Sequence, residues 1–335
     1  MPRPNVTLML TLATMLVPAF GQGANPARPG TLNYIEGQAS LEGHQLSPRS
    51  VGHAELQPGQ YLATAAGKVE ILLTPGVFLR LDNNSTVKMI SPDLMHTEVQ
   101  LSQGRASVEV DQIYKQNNLL VDLTNGQAQL LKPGLYEFDA TANTVRVYDG
   151  KAAVFTSLVP KTNEKAIDVK GGKQLTLVGE VVKPVGFNKD KTSATDPLYN
   201  WSSLRSSYLG ESNVDLASSY GGGGYAPGWA WNQADYGYTW LPGGDDFFFS
   251  PFGYGFYSPY YVYGGGFIYG GYRGGYGGYR GGYGGRGGYG NRGGVAGAHA
   301  AGAGGGGFHG GGGGGFGGGG GGGMHGGGGG GGGHR

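Results

Sequence analysis

Apolar and polar residues alternate along much of the first half of the chain. Val69, Ile71 and Leu73 occupy every second position, and so do Val77, Leu79 and Leu81. The same spacing links Val87 with Met89, Val99 with Leu101, and Ala106, Val108 and Val110. Leu119, Val121 and Leu123 follow, then Val145 and Val147, while Leu32 and Tyr34 open the series. A strand turns successive side chains to opposite faces, so each set predicts one buried face. The runs are short and recur about every 8–12 residues, with turn residues between them. Residues 30–187 therefore read as one all-β domain, a short-strand antiparallel sandwich or a solenoid-like roll.

Three turns share the form Leu-x-Pro-Gly: Leu56 to Gly59, Leu73 to Gly76 and Leu131 to Gly134. Proline presets φ for the first central position of a type II turn, and glycine accepts the positive φ of the second. Each copy is expected to join two adjacent strands. Similar strands precede the last two copies, and Asp82 and Asp139 close the strands after them. A duplicated hairpin and convergent turn chemistry both account for this.

Beyond the strands, Asp196-Pro197 carries a helix-start signature, with aspartate as N-cap and proline in the first turn. The helix is expected over 196–219, ending before the glycines at 221. Trp201, Leu204, Tyr208 and, less regularly, Leu216 fall near one face, which predicts docking on the β-domain. Residues 220–269 are dense in aromatics punctuated by glycine and proline. They are expected to cover an open face or edge of the β-domain; stacking on sugar rings or on a partner is the alternative.

The run from Thr64 through Val69-Glu70-Ile71-Leu72-Leu73, Pro75-Gly76, Val77-Phe78-Leu79-Arg80-Leu81 and Asp82-Asn83-Asn84-Ser85 resembles the FecR domain of bacterial envelope proteins. That domain shows a small-residue turn, an apolar strand, a Gly turn, a second apolar strand and a Ser/Asn-rich turn. Val145 to Val154 resembles its end, and the likeness spans about residues 32–156. The resemblance implies an all-β fold. Well-known members regulate a sigma factor in iron uptake, and the domain recurs in exported proteins, which this chain is more similar to.

Composition changes the picture at both ends. Met1 to Arg3 give a positive start, Val6 to Phe20 is apolar, and Ala19 and Gly21 are spaced for a cut before Gln22. These are the parts of a signal peptide over residues 1–21; the apolar run falls short of the ~20 residues that span a bilayer. Export to the periplasm or cell surface, with no transmembrane segment after cleavage, is the expectation. Most of the 73 glycines lie after residue 220. Residues 270–335 are expected to be disordered, because polyglycine buries too little to offset the entropy of ordering. No Asp, Glu or Lys occurs from Phe247 onward. Arg273, Arg280, Arg286 and Arg292, with tyrosines and paired glycines between them, are the candidate polyanion-binding residues. An anionic envelope polymer such as lipopolysaccharide or an acidic glycan fits them, and nucleic acid does not fit an exported chain. His299, His309, His325 and His334 are too widely spaced on glycine for a metal site.

Catalytic chemistry has little foothold. The chain has no cysteine, and a net charge of +1 gives no global pull toward polyanions. No His-Glu-x-x-His, Gly-x-Ser-x-Gly or Walker motif is present, and no cofactor is implied. Asp82, Asp122 and Asp139 sit near strand ends and turns, where capping and solvation account for them. His44, His53 and His96 are not grouped by spacing, although a carboxylate pair formed only in space would not show. The expectation is a noncatalytic exported envelope protein with a binding or structural role. The alternatives are envelope signalling or sigma-factor regulation with a separate membrane partner, and a carbohydrate-active enzyme.

Overall fold

The computed structural model describes residues 26–160, 162–178, 183–220 and 224–263. The expected signal peptide, the Gly-rich tail and Arg273, Arg280, Arg286 and Arg292 lie outside the described residues. One 15-stranded sheet dominates. Its strands are β1 (Leu32–Leu41), β2 (His44–Gln45), β3 (Tyr61–Leu72), β4 (Val77–Leu81), β5 (Thr86–Pro92), β6 (His96–Gln103), β7 (Arg105–Val110) and β8 (Asn118–Leu123). They continue with β9 (Gly126–Leu130), β10 (Gly134–Asp139), β11 (Thr144–Val147), β12 (Lys151–Phe155), β13 (Ile167–Lys170), β14 (Lys173–Thr176) and β15 (Val185–Gly186). Helices α1 (Lys189–Thr195) and α2 (Pro197–Ser219) follow. Two hairpins, β16 (Gly228–Asn232) with β17 (Gly237–Leu241) and β18 (Phe247–Phe249) with β19 (Gly255–Tyr257), precede α3 (Pro259–Tyr263).

The strand order is β13-β12-β9-β8-β6-β5-β3-β4-β7-β10-β11-β14-β15, with β1 on the other edge of β3 and β2 on β1. The division of β3 makes this a folded-over sheet rather than a flat one. Its first residues pair with β5, Tyr61 opposite Lys88, and its last with β4, Leu72 opposite Phe78. From β3 the sheet therefore runs into two halves, and apolar residues of both fill one core. Every alternating set from Val69 to Val147 lies in that core. The sheet is all-β as the periodicity requires, and it is not closed.

The two halves part at Asp82-Asn83-Asn84-Ser85. Thr64 Oγ1 donates to Asp82 O (2.5 Å) and accepts from Ser85 N (2.9 Å). Ser85 Oγ, fully buried, donates to Arg105 O (3.0 Å) and accepts from Arg105 N (2.9 Å). Asn84 takes φ +51°, and Gly104 (φ +72°) has no room for a Cβ, which would lie 2.3 Å from Ser85 Oγ. The Ser/Asn-rich turn is thus a corner in which side-chain hydroxyls replace ladder bonds.

Four sequence expectations are corrected. Leu32 and Tyr34 do not share a face. A register shift between them sets Tyr34 opposite Glu70, while Leu32 and Ile35 reach the core. The sheet is not wholly antiparallel: β6 and β8 are parallel neighbours, because β7 between them in sequence lies in the other half. The Leu-x-Pro-Gly copies differ as well. Gln60 N bonds Gln57 O (3.0 Å) and Val77 N bonds Thr74 O (2.8 Å), with Gly59 and Gly76 at positive φ, as type II turns require. Only the Leu73 copy makes a hairpin, that of β3 with β4. Lys132 O is taken by Tyr136 Oη (2.5 Å), and the third copy leads from β9 to β10, which are not paired, so no hairpin is duplicated.

The fourth correction concerns α2. Asp196 caps it, its carboxylate accepting from Leu198 N (2.9 Å) and Tyr199 N (3.3 Å). Leu204 and Tyr208 are half exposed, not docked. The buried face is Leu198, Trp201, Ser202, Ser206, Leu209, Gly210, Asn213 and Ala217. It is mostly small and polar because the sheet beneath is charged. Arg80 on β4, fully buried, bonds Glu70 of β3 (2.8 Å) and Glu109 of β7. From α2, Arg205 reaches Glu70 (2.9 Å), Ser206 donates to Glu109 (2.7 Å), and Ser202 meets Ser107 (2.8 Å). Beside this network Leu72, Phe78, Leu209, Tyr238, Trp240 and Phe256 form a second apolar cluster.

Breaking a buried ion pair from one side costs about 3–5 kcal/mol, whereas removing all its charges together costs far less. Arg80→Met is therefore expected to lower the unfolding free energy by about 3–5 kcal/mol in urea melts. Combining it with Glu70→Gln and Glu109→Gln should recover much of that loss. Equal stability of Arg80→Met and the parent would contradict the network's role.

Candidate functional site

Of the sheet's outer surface, α2 and the hairpins lie over the half that carries Glu70, Arg80 and Glu109. The outer face of the other half is built by β6, β8 and β9. Alternation sends Val99, Leu101, Leu119, Val121, Ala128 and Leu130 inward, leaving Glu98, Gln100, Asn118, Leu120, Asp122, Gln127 and Gln129 outward. The parallel register of β6 and β8, His96 opposite Asn118 and Gln100 opposite Asp122, lines them up. The antiparallel register of β8 and β9 sets Asp122 opposite Gln127.

The result is a chain of polar side chains across three strands. His96 Nε2 meets Glu98 Oε2 (2.9 Å), and His96 Nδ1 meets Asn118 Nδ2 (2.9 Å). Asn118 Oδ1 accepts from Gln129 Nε2 (2.8 Å). Gln127 Nε2 donates to Asp122 Oδ1 (3.0 Å), Glu98 Oε1 (3.3 Å) and Leu158 O (3.3 Å). One amide thus bridges two carboxylates. Burial, opposed by the Gln127 hydrogen bond and reinforced by Glu98, pushes the Asp122 carboxyl up to about 7. Asp122 is therefore partly protonated near neutral pH. His96 is exposed, and Glu98, Gln100, Asn118 and Gln129 are half-buried, so a partner can reach this face.

Such a face can exchange hydrogen bonds and, at Asp122, carry a proton. Among the described residues two shallow grooves lie elsewhere: one of ≈ 460 Å³ beside Pro29, Pro75, Trp229 and Trp231, and one of ≈ 410 Å³ in the 156–164 loop. No three His, Asp or Glu side chains among the described residues could hold a metal ion. No helix among them is long and apolar enough to cross a membrane.

Asp122 is not the solvated strand-end residue that its position suggested; it is 5% exposed. Asp82 is also buried, near Lys68 and Arg105, both at 3.6 Å. His96, ungrouped in sequence, meets Glu98 two residues on and Asn118 on the neighbouring strand. The spacing His96-x-Glu98 was a visible signal, while Asn118 and Gln127 needed the strand order to be known. A second carboxylate, Asp111 at the end of β7, is buried against Glu109; burial and then Glu109 push it well above the usual range, and neither of its oxygens meets a donor.

These groups set a pH dependence. Folded Asp122 keeps its proton to about pH 7, whereas an unfolded aspartate loses it near 3.8. The folded state binds the extra proton between these values, so stability falls as pH rises through them. Glu70 acts in the opposite sense: burial would raise it, but Arg205 and Arg80 hold it at about 2, and its contribution is lost as pH falls below 4.5. The melting temperature is expected to peak near pH 4–5 and decline toward neutrality. In Asp122→Asn the neutral-side decline should become shallower, with buried Glu137, raised to about 7, and Asp111 supplying the rest. An unchanged profile in thermal melts across this range would refute the raised Asp122 carboxyl.

Two crystal structures of a candidate anti-sigma factor from Parabacteroides distasonis are similar to this chain. They show 14% and 12% identity, cover 39% and 40% of this chain and 61% and 63% of theirs, and each gives a TM-score of 0.33. The chain therefore spans less than two thirds of those structures. No curated protein matches the sequence. Residues 60–153, from the start of β3 into β12 and including both the Ser85 corner and the open polar face, match the FecR protein family.

Proposed function

We propose that this chain is a noncatalytic, exported partner-binding component of envelope signalling or sigma-factor regulation, acting with a separate membrane protein. The observation that carries this reading is the coincidence of the FecR match with an open face. The matched segment has one outer surface covered by its own helix and hairpins, and the other presents Glu98, Gln100, Asn118 and Gln129. The reading assigns the partner to the open face. Polar side chains already fixed to one another lose little freedom when a partner bonds to them. The shallow relief of the grooves among the described residues supports a binding role over the carbohydrate-active alternative.

A photo-crosslinking residue placed at Gln100 or Gln129 is expected to capture one membrane protein in the native host. The same residue at Leu204, exposed on α2, should not. Equal capture from both surfaces, or none from the open face, would refute the assignment. Deleting the gene should change expression of a sigma-factor-controlled operon; no change would refute signalling.

A second reading, an envelope-binding or structural role through the tail, is favoured by one sequence observation: residues 247–335 carry arginines and no acidic residue. Full-length chain is then expected to bind lipopolysaccharide or acidic glycan in a salt-sensitive manner, and a 1–269 truncation to bind less. Arg273, Arg280, Arg286 and Arg292 changed to Gln should mimic the truncation. Equal binding by all three forms would exclude the tail.

A further inference from the structure

The two short hairpins leave four strand edges, and the chain treats them differently. Asn33 plugs one edge of β17: its Nδ2 donates to Tyr238 O (3.0 Å) and its Oδ1 accepts from Tyr238 N (2.7 Å). Asn213 of α2 continues that plug at Trp240 O (2.8 Å). The same Asn213 closes β19, donating to Tyr257 O (3.0 Å) and accepting from Tyr257 N (2.8 Å). A carboxamide presents an N–H donor and a C=O acceptor side by side, as a strand residue does, so each asparagine imitates a paired strand residue. The edge of β16 borders the groove beside Pro29 and Pro75. Among the described residues, the edge of β18 has no such cover.

The hairpin register shows which backbone groups are open. Ser258 N bonds Asp246 O (3.1 Å), Ser250 N bonds Tyr254 O (2.8 Å), and Phe248 stands opposite Phe256. The inward-facing backbone groups therefore belong to residues 246, 248 and 250. Those of Phe247 and Phe249 point away from β19. Neither residue has a backbone partner among the described residues. Their rings are 43% and 58% exposed, while the Phe248 ring lies 5.0 Å from Trp240. The apolar surface continues into Tyr261, whose ring is 4.7 Å from Phe247, and to Tyr260 and Tyr263, both exposed. A flat, apolar, unpaired edge invites another strand.

We propose that β18 is a self-association edge at which a second copy of this chain adds its own β18, antiparallel, about a twofold axis through Phe248. The segment is self-complementary in that arrangement. Phe247 of one copy faces Phe249 of the other, and each such pair exchanges two N–H···O=C bonds, giving four bonds and a four-ring cluster on one face. Antiparallel pairing also separates the charges, setting Asp245-Asp246 of one copy beside Ser250-Pro251 of the other; a parallel pair would stack the aspartates. Pro251, the next outward position, has no N–H, so the ladder stops after these residues. A twofold contact uses the edge up in both copies, which gives a dimer rather than a fibre. The surface is small, so the dimer is weak and concentration-dependent.

Sedimentation of the full chain over about 10–500 µM is expected to show a monomer–dimer equilibrium. Phe249→Pro removes an outward N–H while leaving the hairpin's own bonds intact, and should weaken association about ten-fold or more. Phe247→Lys with Phe249→Lys should abolish it. Amide exchange at 247 and 249 in the unaltered chain should slow as concentration rises, a readout independent of how the variants fold. A chain monomeric throughout, whatever extended peptides it captures, overturns the proposal. So does association that ignores Phe249→Pro, or exchange at these amides that ignores concentration.

Discussion

Arg80 governs the architecture. A guanidinium with no solvent exposure, midway along a strand, must be neutralised from its own sheet, and Glu70 and Glu109 on the flanking strands do this. That leaves carboxylate oxygens with bonding capacity to spare, which a purely apolar helix could not satisfy. Helix α2 answers with Arg205 and a row of serines, and Asn33 adds its amide to Glu70 (2.9 Å). The guanidinium of Arg205 in turn lies 3.9 Å from the centre of the Tyr34 ring, so the helix is held by charge, hydroxyls and an aromatic face together. The low apolar content of the docking face is thus a consequence of what the sheet presents. A second anchor lies near the helix start, where Arg105 bonds Asp196, the N-cap, and Glu137 (3.1 Å).

Covering one face has functional consequences for the other. With α2 and the hairpins committed to the β4–β7–β10 side, the surface left within the FecR-matched segment is the polar stripe on β6, β8 and β9. Its side chains bond to one another across strands, which fixes their orientation before any partner arrives. With its carboxyl pushed up to about 7, Asp122 is partly protonated at neutral pH, which lowers the charge of that stripe. The hairpins also explain the aromatic richness of residues 225–263. Trp240, Phe256 and Tyr238 are spent on cover, and asparagines close three backbone positions that the cover would otherwise leave open.

Much of the β-domain was legible in the chain. Strict period-two alternation places a residue on a face without any knowledge of its neighbours, so the core residues from Val69 to Leu123, with Val145 and Val147, could be assigned, whereas Ala128, Leu130, Tyr136 and Phe138 were not singled out. Type II turns at Gln57 and Thr74 were legible for the same reason: proline and glycine act within four residues. The start of α2 at Pro197 and its cap Asp196 were local too. Alternation failed at Leu32–Tyr34, where the register against β3 shifts, because a bulge is decided by the partner strand. It also said nothing of which strands pair, so a crossover at Lys132 was read as a hairpin.

What only the tertiary structure decided is which outward-facing residues are buried. Glu70, Arg80, Glu109 and Asp122 occupy the polar positions of their strands, and by pattern alone each belongs to solvent. Leu204 and Tyr208 looked like docking residues because a helix's apolar stripe normally meets an apolar sheet. Here the opposing surface is charged, so the small polar side of α2 turns inward and the larger residues face water. Side-chain alternation is a property of the local backbone, whereas burial of a charge depends on partners distant in sequence. The chain alone therefore determined the strands and their inner faces; the choice of covered face, the raised Asp122 carboxyl and the open edge at Phe247 and Phe249 came only with the packing of elements far apart along it.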